Sequence, residues 1–369
     1  MYTQGLLQGL VEIGATKDVI LHTTGGLRVD PDLQNGDRQD LAKESMSPIG
    51  SVDIAKFTQV SWSKSPLLAS LVRLAWTHRV PYPVGRKLET AQVMHCPSFV
   101  YPLAPANTRQ VVVVHDLAWK RYPGAFSKHG VAWHDRALSR AIERSDVIVV
   151  PSAQSADDLD HEISRKETGE RPAIEIVEWG SNHVRPRSNY LDIDLDSRFG
   201  INGPYLVTVG TREPRKNLDN VLAAFEMART QLGGNLQLVV IGPPGWGPIT
   251  RPTSASVIFT GHLPDHLRDS LVAQASGCLY VPLYEGWGFP VVEAMACQIP
   301  VISSKVPSAA TATRLVDPES PEDIALAIVE VVSDPQLAAR LVEKGAVRVA
   351  ELTWARCAKE HLRIWTGLV

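Results

Sequence analysis

The stretch Tyr284-Glu-Gly-Trp-Gly-Phe-Pro-Val-Val-Glu-Ala-Met-Ala296 decides the fold of this chain. It follows the apolar run Cys278–Pro282, which is typical of a buried parallel strand. Gly286 and Gly288 carry no Cβ atom, so the backbone can approach another group closely at these positions. Pro290 suits the first turn of a helix, so the stretch predicts a glycine loop that leads from a strand into a helix N-terminus.

Two carboxylates flank this glycine loop. Glu285 precedes the loop, and Glu293 lies on the predicted helix. A carboxylate beside a bound phosphate is repelled unless it faces neutral hydroxyls, so we expect Glu285 to face a transferred sugar and Glu293 to face a ribose. The alternative is an ordinary glycine-rich turn followed by a glutamate on a helix surface. The combination of strand, glycines, proline and spaced carboxylates favours a nucleotide-sugar site.

A second segment, Gly210-Thr-Arg-Glu-Pro-Arg-Lys-Asn217, adds positive charge. It directly follows the predicted strand Tyr205–Val209 and directly precedes a predicted helix. Arg215 and Lys216 therefore lie beside a helix N-terminus, where backbone N–H groups and the helix dipole favour an anion. Their charge-assisted hydrogen bonds suit a phosphate. By itself the segment is equally compatible with a solvated basic turn.

Strand-like and helical patterns alternate along the chain, which predicts doubly wound parallel sheets with ligands at the carboxyl ends of the strands. The polar stretch Val184–Pro204 has little periodicity, so we place a domain boundary there. The expected fold is α/β, with two Rossmann-like domains (residues 1–190 and 200–352) facing a central cleft and a C-terminal helix (residues 353–369) packing back toward the first domain. The predicted strands are Gln110–His115, Asp146–Val150, Tyr205–Val209, Leu236–Ile241, Val257–Thr260, Cys278–Pro282 and Val301–Ser303.

The composition is that of a soluble globular protein large enough for two domains. Of 369 residues, 44% are hydrophobic and 21% are charged. The net charge of -3 gives no general attraction to nucleic acid. The 4 cysteines lack the spacing of a zinc site, and we expect no disulfide. The N-terminus has no basic-then-apolar pattern and no apolar run reaches ~18 residues, so we expect a cytoplasmic protein.

Glu285–Ala296 resembles the signature of family 4 glycosyltransferases. Val209–Leu218 resembles the diphosphate loop of that family, in the form found in bacterial mannosyltransferase-like members. Weaker matches extend the resemblance over nearly the whole chain, although the C-terminal motifs are the specific ones. The weaker matches are Ile241–Trp246, Phe259–Leu263, Val114–Leu117, Pro151–Ser152 and Met94–Pro97.

The resemblance implies a GT-B fold and the transfer, with retention, of a mannose-like hexose from a nucleotide-diphosphate sugar to a glycan or lipid-linked acceptor. It implies no cofactor and no metal, because the leaving diphosphate accepts the acceptor's proton during front-face attack. His115 and Glu285 are the candidate catalytic residues, although His115 could instead be a histidine that is hydrogen-bonded at a strand end. Asp116 is expected to fix a turn. The candidate substrate-binding residues are Gly210, Arg215, Lys216, Gly261, His262, Leu263, Gly286, Trp287, Gly288, Phe289 and Glu293.

The N-terminal residues depart from the family pattern. Members open with a strand and a glycine-rich loop before the first helix, whereas Tyr2–Ile13 already resembles that helix. We therefore expect the first strand and the loop to be missing, either because Met1 is not the true start or because the chain is a degraded copy. Lys305–Arg314 also looks shortened, which affects the acceptor or base contacts expected there.

Three other functions compete with this one. A NAD-dependent dehydrogenase needs G-x-G-x-x-G after a strand, and Gly242–Gly247 lacks that order. A GT-B sugar-nucleotide epimerase or phosphorylase shares the cleft but lacks the spaced carboxylates. A truncated, donor-binding remnant that acts as a partner subunit is favoured by the missing strand and opposed by the intact donor motifs.

A basic, aromatic stretch between Asp53 and Glu89 contains no acidic residue. It suggests peripheral contact with anionic lipid on the cytoplasmic face of the inner membrane. The alternative, which we favour slightly, is the buried side of a Rossmann helix with a solvated basic rim. The basic residues are Lys56, Lys64, Arg73, Arg79, Arg86 and Lys87, and a helix beginning near Lys128 adds Arg136, Arg140 and Arg144.

Overall fold

The computed structural model describes residues 1–17, 19–23, 61–64, 91–99, 101, 104–105, 107–165, 171–184, 194–246 and 254–369. Helices and strands largely alternate along these residues. In the N-terminal part they are α1 (Tyr2–Glu12), β1 (Ile20–Thr23), β2 (Ser61–Lys64), β3 (Val93–Cys96), β4 (Arg109–Val113), α2 (Ala118–Arg121), α3 (Lys128–Arg144), β5 (Val147–Val150), α4 (Ala153–Ser164) and β6 (Ala173–Ile176). In the C-terminal part they are α5 (Leu195–Phe199), β7 (Tyr205–Val209), α6 (Leu218–Gln231), β8 (Gln237–Ile241), β9 (Val257–Gly261), α7 (Asp265–Gln274), β10 (Gly277–Tyr280), α8 (Phe289–Ala296), β11 (Val301–Ser303), β12 (Arg314–Leu315), α9 (Pro321–Ser333), α10 (Pro335–Glu351) and α11 (Trp354–Gly367).

The C-terminal lobe is built on a 6-stranded parallel sheet in the order β12-β11-β10-β7-β8-β9. Successive side chains of a strand point to opposite faces. Leu206 therefore packs with α6 and α9, whereas its neighbour Val207 packs with α7 and α8 on the other face. Both faces of the sheet are covered by helices, which explains why these strands are continuous apolar runs.

The described strands of the N-terminal lobe form two sheets. One has 4 parallel strands in the order β3-β4-β5-β6, and the other pairs β1 with β2 in parallel. Val112 and Ile148 lie in the core on one face of the larger sheet, while Val111 and Val147 lie in the core on the other face. The expectation that a first strand and its glycine loop are missing stays a prediction.

The beginning of α11 joins the two lobes. Trp354 is fully buried, and α11 packs along α1. A Cβ atom on Gly5 would lie 2.0 Å from the Trp354 ring, and one on Gly180 would lie 2.4 Å from the Trp354 backbone nitrogen. These two positions therefore accept only glycine, because any side chain would collide with Trp354.

The seven predicted strands are confirmed, since each has an observed counterpart that begins and ends within two residues of the predicted bounds, whereas β1, β2, β3, β6 and β12 were not predicted. Local sequence patterns suggest that Asn217 caps α6 and that Ser320 and Asp323 form a capping box at α9, and the structure bears out only the Ser320 cap. Asn217 has a left-handed φ of 60°, and its side chain donates to the carbonyl oxygens of Val281 and Pro318 instead of capping α6. Ser320 does cap α9, but Asp323 accepts a hydrogen bond from the Asp317 backbone instead of completing a reciprocal capping box.

Some predictions fall outside the described residues. The basic stretch between Asp53 and Glu89 does so, apart from the backbone of β2. The predicted boundary stretch Val184–Pro204 is described only in part and includes the short helix α5, and the domain limits stay predictions. Among the described helices, none is both long and apolar enough to cross a bilayer.

Candidate active site

The glycine loop after β10 lies against the N-terminal lobe. A Cβ atom on Gly286 would lie 2.0 Å from the carbonyl oxygen of His115, and Gly288 has a left-handed φ of 95°. Both positions therefore require glycine for backbone reasons. The close approach predicted for a ligand is made here by the turn that follows β4.

Several hydrogen bonds hold this loop from the N-terminal lobe, including one from the Leu117 backbone N–H to the Tyr284 hydroxyl at 3.4 Å. The Ser152 hydroxyl donates to the Gly286 carbonyl at 2.8 Å, and the Tyr122 hydroxyl donates to the Leu283 carbonyl at 3.1 Å. The Tyr284 hydroxyl donates to the Asp158 carboxylate at 2.7 Å. The segment just before and within the donor motif is therefore positioned by residues of the opposite lobe.

Arg215, Lys216 and Glu285 converge beneath this loop. Arg215 Nη1 donates to Glu285 Oε1 at 2.7 Å and to the Tyr284 carbonyl at 2.9 Å. The Lys216 ammonium forms an ion pair with the same carboxylate and donates to the Tyr280 hydroxyl at 2.8 Å. Arg215 also pairs with Glu213. The two cations are thus balanced by two carboxylates, and a diphosphate must compete with Glu285 for their hydrogen-bond donors.

The electrostatics of this cluster favour charged side chains. Burial by itself raises the pKa of Glu285, but the charges of Lys216 and Arg215 outweigh that effect and hold the pKa below its ordinary value. Burial by itself lowers the pKa of Arg215, yet Glu285 and other nearby acidic groups raise it overall. Glu285 is therefore an ionised carboxylate in the folded protein, and its predicted role toward a sugar hydroxyl stays a prediction.

Glu293 lies on α8 and is not part of that cluster. Its Oε1 lies 3.1 Å from Nε2 of His183, in the segment that leaves the N-terminal lobe after β6. Burial raises the pKa of Glu293, but the hydrogen bond from His183 and the charge of Arg268 lower it overall. The structure therefore separates the two carboxylates of the motif into different surroundings, and the ribose role of Glu293 stays a prediction.

His115 lies two residues beyond the end of β4. Its Nε2 donates to the Pro97 carbonyl at 2.8 Å, because a carbonyl oxygen only accepts. The ring packs edge-on against Trp179, and burial lowers the pKa of the imidazole. Nδ1 is then the acceptor nitrogen of a neutral ring. Asp116 accepts a hydrogen bond from the Ala118 backbone at 3.0 Å and fixes the turn as predicted.

The remaining candidate residues fall in two groups. Gly261 ends β9 with a φ of 72°, and His262 and Leu263 lie between β9 and α7. Trp287 and Phe289 belong to an aromatic cluster around Trp179, where Phe289 stacks on the Trp179 ring at 5.3 Å. Their side chains fill the contact between the lobes, so only the backbone of this loop remains for a sugar.

The site is closed. A cavity lined by Gly210, Lys216 and Tyr280 has a volume of about 20 Å³. That is room for about one water molecule, whereas ligand pockets have volumes of roughly 300–1,000 Å³. The described cavity is therefore too small for a sugar nucleotide in the arrangement observed here. Among the described residues no group of three or more His, Cys, Asp or Glu side chains could hold a metal ion, and metal independence stays a prediction.

Three of these residues could not be identified from the sequence. Tyr280 precedes the donor motif inside an apolar strand, and Asp158 sits on a helix with other acidic residues. His183 carries no motif of its own. Tyr280 lies two residues from the end of the predicted strand Cys278–Pro282. That position near the carboxyl end of a strand was the one indication in the sequence that any of the three residues lies at the site.

Comparison with known proteins agrees with this geometry. Residues 196–348 match the family described as Glycosyl transferases group 1. The chain is 23% identical over 314 residues to the O-antigen chain mannosyltransferase B of Escherichia coli, covering 82% of this chain and 81% of that protein. It is 28% identical over 244 residues to the D-inositol 3-phosphate glycosyltransferase of Rhodococcus opacus (strain B4), covering 59% of this chain and 52% of the relative.

Solved structures support the fold. The sucrose-phosphate synthase of Thermosynechococcus elongatus superposes with a TM-score of 0.63 at 18% identity, over 100% of this chain and 92% of that one. The trehalose 6-phosphate synthase of Burkholderia multivorans superposes with a TM-score of 0.58 at 15% identity, over 71% and 67%. The chain therefore has the GT-B fold, and the match of residues 196–348 to Glycosyl transferases group 1 supports glycosyltransferase activity.

Proposed function

We propose that this chain transfers a mannose-like hexose from a nucleotide-diphosphate sugar to a glycan or lipid-linked acceptor, with retention and without a metal. The convergence of Arg215, Lys216 and Glu285 at the carboxyl ends of β7 and β10 carries the proposal. It places two cations and one carboxylate where ligands of doubly wound sheets bind. The buried Nε of Arg215 has no hydrogen-bond partner among the described residues, which leaves a donor for phosphate.

The proposed reaction would use this arrangement as follows. The acceptor hydroxyl attacks the anomeric carbon on the face from which the diphosphate departs, and the departing phosphate oxygen takes the hydroxyl proton. Negative charge grows on the diphosphate in the transition state, and Arg215 and Lys216 stabilise it there more than in the ground state. Once the phosphate occupies the two cations, Glu285 is free to accept a hydrogen bond from a sugar hydroxyl.

The acceptor side belongs to the N-terminal lobe in this proposal. The carbonyl of His115 contacts the glycine loop, so the imidazole lies near the place where the donor sugar would bind. With Nε2 engaged by Pro97, Nδ1 is the atom left to accept a hydrogen bond from an acceptor hydroxyl. The mannosyltransferase relative from Escherichia coli supports a mannose-like sugar and a glycan acceptor.

A nucleotide-sugar screen tests the proposal. We expect GDP-mannose, UDP-glucose or a related donor to raise the melting temperature of the purified chain, because a ligand that binds only the folded state stabilises it. The same donor should then be consumed in the presence of a mannose-containing acceptor. Donor binding without any transfer or hydrolysis would favour the donor-binding remnant instead, and no binding by any nucleotide sugar would reject both.

Membrane contact is a separate part of the proposal. Lipid-linked acceptors lie at a membrane surface, and Arg79, Arg86 and Lys87 belong to the basic stretch outside the described residues. We expect the chain to sediment with anionic vesicles at low salt and to be released at high salt, because salt screens surface charges. Equal sedimentation with neutral vesicles, or none with either kind, would favour a soluble acceptor.

A further inference from the structure

His183 contacts the second carboxylate of the donor motif from a distant part of the chain. It lies in the segment that links β6 to α5, and its Nε2 is 3.1 Å from Oε1 of Glu293. Both side chains are largely buried, with relative exposures of 18% and 10%. A hydrogen bond to a buried carboxylate is among the stronger polar interactions in a protein, so this contact fixes the orientation of the Glu293 side chain.

The other nitrogen of His183 defines which tautomer is present. Trp354 Nε1 lies 3.2 Å from His183 Nδ1. An indole N–H only donates, so Nδ1 must be the acceptor and the proton of the neutral ring resides on Nε2. Nε2 therefore donates to Glu293. The order Trp354, His183, Glu293 is a directed chain of hydrogen bonds in which the indole selects the tautomer that the carboxylate needs.

Hydrogen bonds hold the backbone around Trp354. Its backbone N–H donates to Oδ1 of Asn182 at 2.8 Å, and the Ser181 backbone N–H donates to the Leu352 carbonyl at 2.9 Å. Gly180 leaves no room for a side chain against Trp354. The two segments that connect the lobes, one before α5 and one before α11, are therefore bonded to each other at the point where they reach Glu293.

We propose that His183 is a positioning residue for nucleotide recognition: it holds Oε1 of Glu293 so that Oε2 accepts a hydrogen bond from a ribose hydroxyl, while Trp354 keeps His183 in the donating tautomer. This inference rests on the proposed function, because it takes a nucleoside diphosphate as the ligand. It adds that ribose binding depends on the junction of the two connecting segments.

The test compares a ribonucleotide with an analogue that lacks the hydroxyls. Calorimetry uses GDP or UDP, whichever raises the melting temperature more, and its 2′,3′-dideoxy form. His183→Leu removes the donor at similar size, and we expect it to weaken ribonucleotide binding about tenfold, the effect of one hydrogen bond to a charged group. Binding of the dideoxy form should change less than about twofold. His183→Gln keeps an N–H donor and should recover most of the lost affinity.

Further variants separate the possible outcomes. Glu293→Gln should likewise weaken binding of the ribonucleotide more than binding of the dideoxy form. If it does not, the ribose assignment of the proposed function fails. In another outcome, Glu293→Gln weakens binding of the ribonucleotide selectively while His183→Leu weakens binding of the ribonucleotide and the dideoxy form equally, or of neither. That result overturns the positioning role of His183 and leaves the proposed function standing. Should His183→Leu not fold, Trp354→Phe gives the same readout, because it removes the indole donor together with part of the buried ring, and an unchanged preference between the two nucleotides would overturn the inference.

Discussion

The Tyr284 hydroxyl donates a hydrogen bond to Oδ2 of Asp158 across the interlobe contact, with 2.7 Å between the two oxygens. Asp158 is buried and also pairs with Arg121, so its carboxylate stays satisfied on the N-terminal side. Tyr284 immediately precedes Glu285 in the chain. The bond therefore couples the position of the Glu285 carboxylate to the contact between the lobes.

Tyr284→Phe should slow transfer while leaving nucleotide affinity nearly unchanged. The variant removes one bond to a charged group, worth ~1.5–3 kcal/mol, from the closed state only. We expect kcat to fall about 10–100-fold and the Kd for nucleoside diphosphate to change less than about threefold. Tyr101→Phe is the matched control, because the buried Tyr101 hydroxyl has no hydrogen-bond partner among the described residues. Equal kinetics for the two variants would contradict the proposed coupling to the contact between the lobes.

Lys216→Ala should reduce kcat/KM about 10–150-fold, because it removes a charge-assisted bond of ~1.5–3 kcal/mol to the diphosphate. The control is Lys344→Ala, which removes the same charge from the exposed surface of α10. Steady-state transfer assays at saturating acceptor provide the comparison. The assignment of Lys216 to the diphosphate is wrong if both variants keep wild-type efficiency.

Glu285→Gln separates binding from transfer. In the free protein Glu285 competes with phosphate for Arg215 and Lys216, so neutralising it should leave nucleoside diphosphate binding unchanged or make it tighter. Transfer should nevertheless become slower, because the sugar loses a charged hydrogen-bond acceptor. Calorimetry with nucleoside diphosphate alone and transfer assays check the two halves. Weaker diphosphate binding would show that Glu285 supports the phosphate site and does not compete with it.

Acid should destabilise the junction of α1 and α11 through buried histidines. Trp365 Nε1 donates to His95, His95 Nε2 donates to the Tyr2 hydroxyl, Tyr2 donates to His361 Nε2, and His361 Nδ1 donates to the Cys357 carbonyl. Each ring is therefore neutral and has both nitrogens engaged. Burial lowers the pKa of His361 to about 4 and lowers that of His95 as well.

The sign of the effect follows from these depressed pKa values. As pH falls below ~6.5, the histidines of the unfolded chain bind protons, whereas the buried histidines of the folded chain stay neutral. The free energy of unfolding therefore decreases until pH reaches about 4. The shift at His361 corresponds to a loss on the order of 3 kcal/mol. Urea unfolding at pH 7.5 and 4.5 should show a smaller loss for His361→Phe than for wild type. Equal losses would mean that folding does not lower the pKa of His361, and would contradict this prediction.

The alternation of strands and helices in the C-terminal lobe was predictable because both faces of its sheet are buried. Tyr205–Val209 and Val301–Ser303 are continuous apolar runs for that reason, and their bounds match the prediction. The cap at Asn217 was predicted wrongly because its amide is taken by Val281 and Pro318, carbonyl groups far along the chain. A local pattern contains no information about such distant partners.

The sequence by itself determined the fold class and the residues of the donor motif, since glycine, proline and charge signals act within a few positions of one another. Only the tertiary structure decided which distant side chains contact these residues. His183 reaches Glu293 across 110 residues, Asp158 reaches Tyr284 across 126, and Tyr2 reaches His361 across 359. These contacts depend on how two lobes and two connecting segments pack together, and packing between distant segments leaves no periodic trace in a single sequence.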